Sequence, residues 1–416
     1  MAGYKVLLAA ALLVTAGCTG AAAPVPDNEL VWAAGGITAR GPAAEIAELW
    51  NQRHPEGPRV RLVELSDSTD DQRQLMALEL NAGISEFDIL DVDVIWTGEF
   101  AENGWLVDLE DLRPEIERVS LRTPLQTAIW DGTLWAAPYE TDAGLLYYRT
   151  DLVDEPPETW HELRDVGLRV GREQGIAPFV ADGAQYEGMV VQYLEYFWGA
   201  GGEMFDTDGT TVRFEQEPAL EAARFMREAF EYGFYADGFD TMELEAALEQ
   251  FKSGQAVFMR MWPYAYRQMT GPDADPDSRV VDKVGLAPLP TFGDEPTVTA
   301  LGGHNLGVSR FSGNVPAAKE FVRWVSTSPQ VQRLLAQQYS RAPTLASMYD
   351  ELAGDPVLAR LDQVLPNARP RPPTPEWTSI SEEIQQQIFA AYHGNQEPEA
   401  AVDAIRNYLV ATAAED

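Results

Sequence analysis

At 416 residues the chain exceeds one ordinary hydrophobic core and has room for two or three compact units. Its 66 Asp and Glu stand against 30 Lys and Arg, a formal net charge of -36, so a phosphate backbone is repelled and nucleic acid is a poor partner. A single cysteine excludes an intramolecular disulfide, and four scattered histidines show no metal-ligand spacing, so neither a metal nor another cofactor is expected.

The first residues read as an address. Lys5 precedes the apolar run Val6 to Val14, and Thr15-Ala16-Gly17-Cys18 supplies small residues for cleavage. Residues 1–17 are therefore expected to be a signal peptide, with residues 18–28 a tether rich in Ala and Pro. A cysteine directly after Ala-Gly resembles the bacterial lipobox, although Thr15 stands where Leu is usual, and it makes Cys18 the expected lipidation site and mature N-terminus. The body is then lipid-anchored at the outer face of the cytoplasmic membrane, beyond the reach of cytosolic cofactors.

Beyond the tether, short apolar strands alternate with amphipathic helices. Leu30 to Ala34 is followed by a helix burying Ile46, Leu49 and Trp50, then by Val60 to Leu65, then by a helix carrying Leu75 and Leu78. That βαβ order predicts an α/β fold with a parallel sheet. Phe87 to Trp96 alternates as a strand, with Leu90, Val92, Val94 and Trp96 on one face and Asp91 and Asp93 on the other. Asp93 lies near the strand's carboxyl end, where open α/β sheets bind ligands, and a turn or cap role for it stays open. A helix over Pro218–Tyr232 stops at Gly233, another over Met242–Phe251 stops near Gly254, and strand Ala256–Met261 runs into Trp262-Pro263-Tyr264. A loop-rich region spans residues 271–299, Asn314 caps a helix burying Phe321, Trp324 and Val325, and a Pro-rich stretch at 366–375 precedes a final helix pair.

Aromatic and acidic residues coincide at Trp96, at Tyr139–Asp142, at Tyr186-Glu187, at Trp262 and Tyr264, and at Trp377 near Arg371. Sugars suit such pairs, because a pyranose C–H face packs on an aromatic ring while its hydroxyls need charged partners. With 42 aromatic residues, plain core packing also explains some of these coincidences. No nucleophile elbow, phosphate loop or His-Glu-Xaa-Xaa-His motif is present. A glycoside hydrolase needs only two suitably spaced carboxylates, and Asp93, Asp142 and Glu187 keep that alternative open.

Several separated stretches share one order with a known family. They are Asp93-Val94-Ile95-Trp96, then Ala137-Pro138 through Asp142-Ala143-Gly144-Leu145-Leu146-Tyr147-Tyr148-Arg149, then Gln185-Tyr186-Glu187-Gly188, then Trp262-Pro263-Tyr264, Leu301-Gly302-Gly303 and Arg371-Pro372. Over nearly the whole mature chain the sequence resembles family 1 of the extracellular solute-binding proteins of ABC transporters, in particular the trehalose/maltose binders and the actinobacterial trehalose-binding lipoproteins. The resemblance implies a two-lobed periplasmic-binding-protein fold of the maltose-binding type, each lobe a mixed sheet flanked by helices, joined by three hinge crossings. It divides the chain into a first lobe of residues 29–141 and 291–355 and a second of residues 142–290 and 356–416. It implies a monomeric receptor, not an enzyme, that captures a disaccharide between the lobes and passes it to a permease pair driven by a cytoplasmic ATPase.

By the same resemblance, Asp93 and Asp142 accept hydrogens from sugar hydroxyls, Trp262 and Tyr264 stack, Arg371 donates, and the Gly302-Gly303 backbone lies against the sugar. Arg73 and Glu187 join the expected site, as do Glu140, which replaces a tyrosine of one relative, and His304, which replaces a stacking tryptophan. Arg40 stands near a loop position where relatives carry an acid. Trehalose is the first expected ligand, and maltose or another α-glucoside the second.

Overall fold

The computed structural model describes residues 28–83, 86–206, 211–271, 274–372 and 374–414, and in it the expected alternation of strands and helices resolves into two mixed sheets. The signal segment, Cys18 and the tether up to residue 27 lie outside the described residues. Strands Glu29–Ala34 (β1), Arg59–Glu64 (β2) and Ile89–Asp93 (β3) run parallel with β1 in the middle. A small hairpin of Ile129–Trp130 (β4) and Thr133–Leu134 (β5) precedes Ala136–Ala143 (β6), which belongs to the same large sheet. After Gly144 the chain changes sheets. Leu145–Arg149 (β7), Ala177–Val180 (β8), Ala256–Met261 (β9) and Val284–Ala287 (β10) form the smaller sheet in the order β10-β7-β9-β8. Thr299–Val308 (β11) returns to the large sheet, antiparallel between β6 and β3. Ala342–Pro343 (β12) pairs with β6, and Ala368–Arg369 (β13) with the start of β11.

Period-two burial explains β1. Leu30, Trp32 and Ala34 enter one core with Ile46, Trp50 and Phe321, while Val31 and Ala33 enter another with Leu90, Val92 and Phe100. A strand covered on both faces is near-continuously apolar, as this one is. Each fully buried large side chain here contributes roughly 1.5–3 kcal/mol. The Asn314 cap forms as expected, its Oδ1 accepting from Ala317 N at 3.3 Å.

Three elements depart from the expectation. The strand expected over residues 87–96 ends at Asp93, because the Asp93 carboxylate accepts the Ile95 N–H and Trp96 N–H bonds Asp93 O, turning the chain into helix Thr97–Glu102. Helix Thr69–Ala82 forms but buries Gln72, Met76 and Leu80, leaving Leu75 and Leu78 40% and 68% exposed. Gln72 sets that face by donating its amide to Ser66 O. Helix Glu187–Gly199 went unread beyond its first residues because it is buried on every side and has no polar stripe to betray a period.

Candidate ligand-binding site

A cavity of about 290 Å³ opens between the two sheets, near the lower end of the roughly 300–1,000 Å³ typical of small-molecule sites. From the large sheet come Asp93, Asp142, Gly302, Gly303 and His304, and from the side of the smaller sheet come Glu187, Trp262 and Tyr264, with Arg371 following β13. Eight of the ten expected binding residues therefore meet in one place.

The large sheet positions its members by register. His304 on β11 is the cross-strand partner of both Asp93 on β3 and Glu140 on β6, and Gly302 faces Asp142. Gly303 has φ +117, where a Cβ would stand 2.5 Å from Glu140 O, so only glycine fits. The β11–β6 register shifts between His304 and Asn305, a bulge of the kind that re-aims side chains beside a site. A Cβ on Gly302 would lie 2.8 Å from the Trp262 ring, so this glycine lets the indole close on the strand.

Two buried arginines organise the charge. Arg371 donates from Nη2 to Asp93 Oδ1 at 3.2 Å and from Nη1 to Glu187 Oε1 at 2.7 Å, joining the end of β3 to the start of helix Glu187–Gly199. Glu187 also accepts from Trp377 Nε1 at 3.2 Å and from Ser381 Oγ. Burial pushes the Glu187 carboxyl up, and Arg371 opposes that. Arg341 stands 3.2 Å from Glu140 Oε1 and 3.6 Å from Asp142 Oδ2. Burial pushes Asp142 up to about 7 against the pull of Arg341. Burial alone would lower the His304 pKa, but Asp91, 3.2 Å from Nδ1 though off the hydrogen-bonding angle, together with Glu140 and Asp93 raises it to about 10. These acids favour the protonated form of His304, which lines the cavity as the sequence led us to expect.

Among the described residues, Asp142 Oδ1 and Arg371 Nε are buried without a hydrogen-bond partner. One is an acceptor and the other a donor, and both residues line the cavity. Such atoms cost free energy unless something fills them. Tyr264 donates its hydroxyl to Glu245 Oε1 at 2.7 Å, and Trp262 lies against the Arg260 guanidinium.

Arg73 and Glu140 do not line this cavity. Arg73 makes a two-point pair with Glu99 and lines an adjoining pocket of about 190 Å³ that shares Glu187 with the main one. Glu140 is fully buried against Arg341. Sequence reasoning missed Arg341, Asp182, Asp67 and Gln72, all of which line the cavity. Tyr186, singled out beside Glu187 in the sequence, lines it too, whereas Arg341 stood in no aromatic or acidic cluster. Among the described residues no group of His, Cys, Asp and Glu is arranged to hold a metal ion, and no helix is long and apolar enough to cross a membrane.

Comparison with known proteins agrees with this architecture. A probable ABC transporter-binding protein of Deinococcus radiodurans is 30% identical over 87% of this chain and 88% of its own. A maltotriose-binding protein of Pyrococcus abyssi is 24% identical over 68% of this chain and 61% of its own. The maltose-bound MalE3 of T. maritima superposes with a TM-score of 0.85 at 31% identity, covering 92% of this chain and 98% of that one. A Thermotoga lettingae solute-binding protein bound with α-D-tagatose shares the fold at a TM-score of 0.83 and 22% identity. Residues 35–332 match the bacterial extracellular solute-binding protein family, so the chain belongs to that family and is the two-lobed, extracytoplasmic solute-binding component of an ABC transporter.

Proposed function

We propose that this protein captures a disaccharide, trehalose or maltose, in the cleft between its lobes and delivers it intact to the permease of an ABC importer. The observation that carries the reading is the meeting of Trp262 and Tyr264 with the charged side chains of Asp142 and Arg371 in one interlobe cavity. Aromatic faces take the sugar's C–H surface, and the Asp142 carboxylate and Arg371 guanidinium take its hydroxyls. Asp93, Glu187, Gly303 and His304 complete the contact surface, with Arg73 held one pocket away by Glu99 and Glu140 acting from behind Asp142. The maltose-bound MalE3 and the maltotriose-binding protein among the relatives support an α-glucoside.

The lobes of this reading are residues 29–141 with 291–355 and residues 142–290 with 356–416. Strand membership supports the first two crossings, since β6 and β11 lie in the large sheet and β7 and β10 in the smaller one. Helices Trp377–Tyr392 and Pro398–Thr412 pack on Glu187–Gly199 and Gln216–Glu231, which supports a third crossing, while β13 within that segment still pairs with β11 of the large sheet. The proposed protein is a monomer, cleaved after residue 17 and acylated at Cys18.

Thermal unfolding with trehalose, maltose, sucrose and glucose tests the reading. A ligand at 100 times its Kd stabilises the fold by about 2.7 kcal/mol, a shift of several degrees in Tm. A shift with trehalose or maltose and intact sugar recovered afterwards supports the receptor. Free glucose appearing over time favours the hydrolase instead.

A further inference from the structure

Resting on the sugar-receptor reading above, we propose that Arg341 is a positioning residue of the site, holding the Asp142 carboxylate in place as a hydroxyl acceptor and bracing the Tyr264 ring. Its side chain is launched from a fixed point. Ser340 before it has φ 49, a left-handed conformation rarely adopted by a residue with a Cβ, and Arg341 N donates to Leu335 O at 3.0 Å. Directly after it, Ala342 and Pro343 pair with Thr141 and Glu140 of β6. Ser340 is the left-handed cap of helix Pro329–Tyr339, so the helix end and the β12 pairing together fix where the Arg341 side chain starts.

From that point the guanidinium reaches three groups. It stands 3.2 Å from Glu140 Oε1, 3.6 Å from Asp142 Oδ2 and 4.7 Å from the centre of the Tyr264 ring. Glu140 and Asp142 are two residues apart on one strand, so both carboxylates project to one face and are buried there. Without a cation between them they repel, and one takes up a proton. Tyr264 follows the smaller sheet, so the cation over its ring also joins the two walls of the cleft.

The groups acting on Asp142 come from several elements. Arg341 pulls its titration down most, Glu140 pushes it up, and His304 on β11 and Arg260 on β9 pull it down. Tyr147 on β7 and Tyr349 on helix Ser347–Glu351 also feel its charge. Removing Arg341 therefore shifts the Asp142 midpoint above its value of about 7, and a protonated Asp142 loses one of its lone-pair acceptors.

Two measurements on Arg341→Met and Arg341→Lys in the full chain test this. The first follows the Asp142 carboxyl carbon by 13C NMR across pH without sugar, assigned with Asp142→Asn. The midpoint is expected to rise by at least one pH unit in Arg341→Met and to return most of the way in Arg341→Lys. The second titrates trehalose and maltose at each pH by calorimetry. Arg341→Met is expected to bind at least tenfold more weakly at pH 7.5 and to recover at higher pH, whereas Asp142→Asn is expected to be flat with pH. An unmoved Asp142 midpoint, or an affinity loss equal at every pH, overturns the proposal. If Arg341→Met does not fold, the midpoint of Arg341→Lys decides in the same way. Failure of the wild type to bind either sugar while the Asp142 midpoint moves sinks the disaccharide reading alone.

Discussion

Arg260 lies with its guanidinium carbon 4.0 Å from the centre of the Trp262 ring, so an aromatic wall of the cavity is backed by a buried cation. Glu195 clamps that guanidinium with bonds of 2.8 and 2.6 Å, and both side chains are out of solvent. Glu195 also accepts from Thr299 Oγ1 and Ala300 N, and Thr299 donates to Gly144 O. The pair therefore ties the smaller sheet to the two places where the chain changes sheets, at Gly144 and at the start of β11. Arg260→Met strands Glu195 as an unpaired buried charge, and the expected cost is about 3–5 kcal/mol, read as a fall in Tm by calorimetry. It also weakens sugar binding through a Trp262 left without backing. A Tm equal to wild type would show that the pair adds no stability.

In the proposed receptor, sugar affinity is expected to depend on pH through Asp142. Its folded pKa of about 7 lies above the ordinary value of 3.8, raised by burial, so the ligand-free fold holds a proton that the unfolded chain has released. For this group, stability is greatest below about 4 and is lost as pH rises through about 7. Proposed sugar binding is expected to run the opposite way, because an ionised carboxylate is the better acceptor for sugar hydroxyls. Calorimetric Kd values are expected to worsen by up to about tenfold per pH unit below 7. A Kd unchanged between pH 5.5 and 8 would remove Asp142 as an ionised contact.

His304 gives the fold an alkaline limit. Its pKa rises from 6.5 to about 10 because Asp91, Glu140 and Asp93 outweigh burial. The raised value means that its stabilising charge is fully present below 6.5 and lost as pH rises through about 10. In denaturant unfolding, the stability difference between wild type and His304→Gln is therefore constant below pH 6.5 and shrinks toward pH 10. A difference that stays constant across that window would show that His304 is neutral in the fold.

The adjacent glycines separate folding from binding. Gly303→Ala puts a Cβ against Glu140 O and Thr141 Cα at φ +117, where backbone must move, and the variant is expected to lose at least about 1–3 kcal/mol. Gly302→Ala meets the Trp262 ring instead, so its expected effect is a loss of sugar affinity with a smaller change in Tm. Equal effects of the two substitutions on Tm and on affinity would contradict this division of roles.

Local patterns carried most of the fold into view. The short apolar runs Leu30–Ala34 and Ala256–Met261, the Asn314 cap and the stop at Gly233 are set by neighbours within a few residues, and all appear in the structure. Leu75 and Leu78 misled because an apolar pair three apart looks like a buried stripe, whereas the helix buries Gln72, Met76 and Leu80 instead, with Gln72 bonded to Ser66 O in the turn before it. Residues of the candidate cavity were legible where they sat in motifs, as Asp93, Asp142, Trp262 and Arg371 do. Arg341 and the Glu195–Arg260 pair were not, because each meets its partners across 65 residues or more and acquires meaning only once those partners are in place.

Calorimetric titration of the wild-type protein with trehalose and maltose, beside Trp262→Ala, tests the receptor most directly. The expected result is saturable binding of one intact disaccharide per chain, weakened at least 100-fold in Trp262→Ala, whose missing indole removes both stacking surface and the cavity wall. Binding of neither sugar by the wild type, or equal binding by Trp262→Ala, would contradict capture of a disaccharide in this cleft.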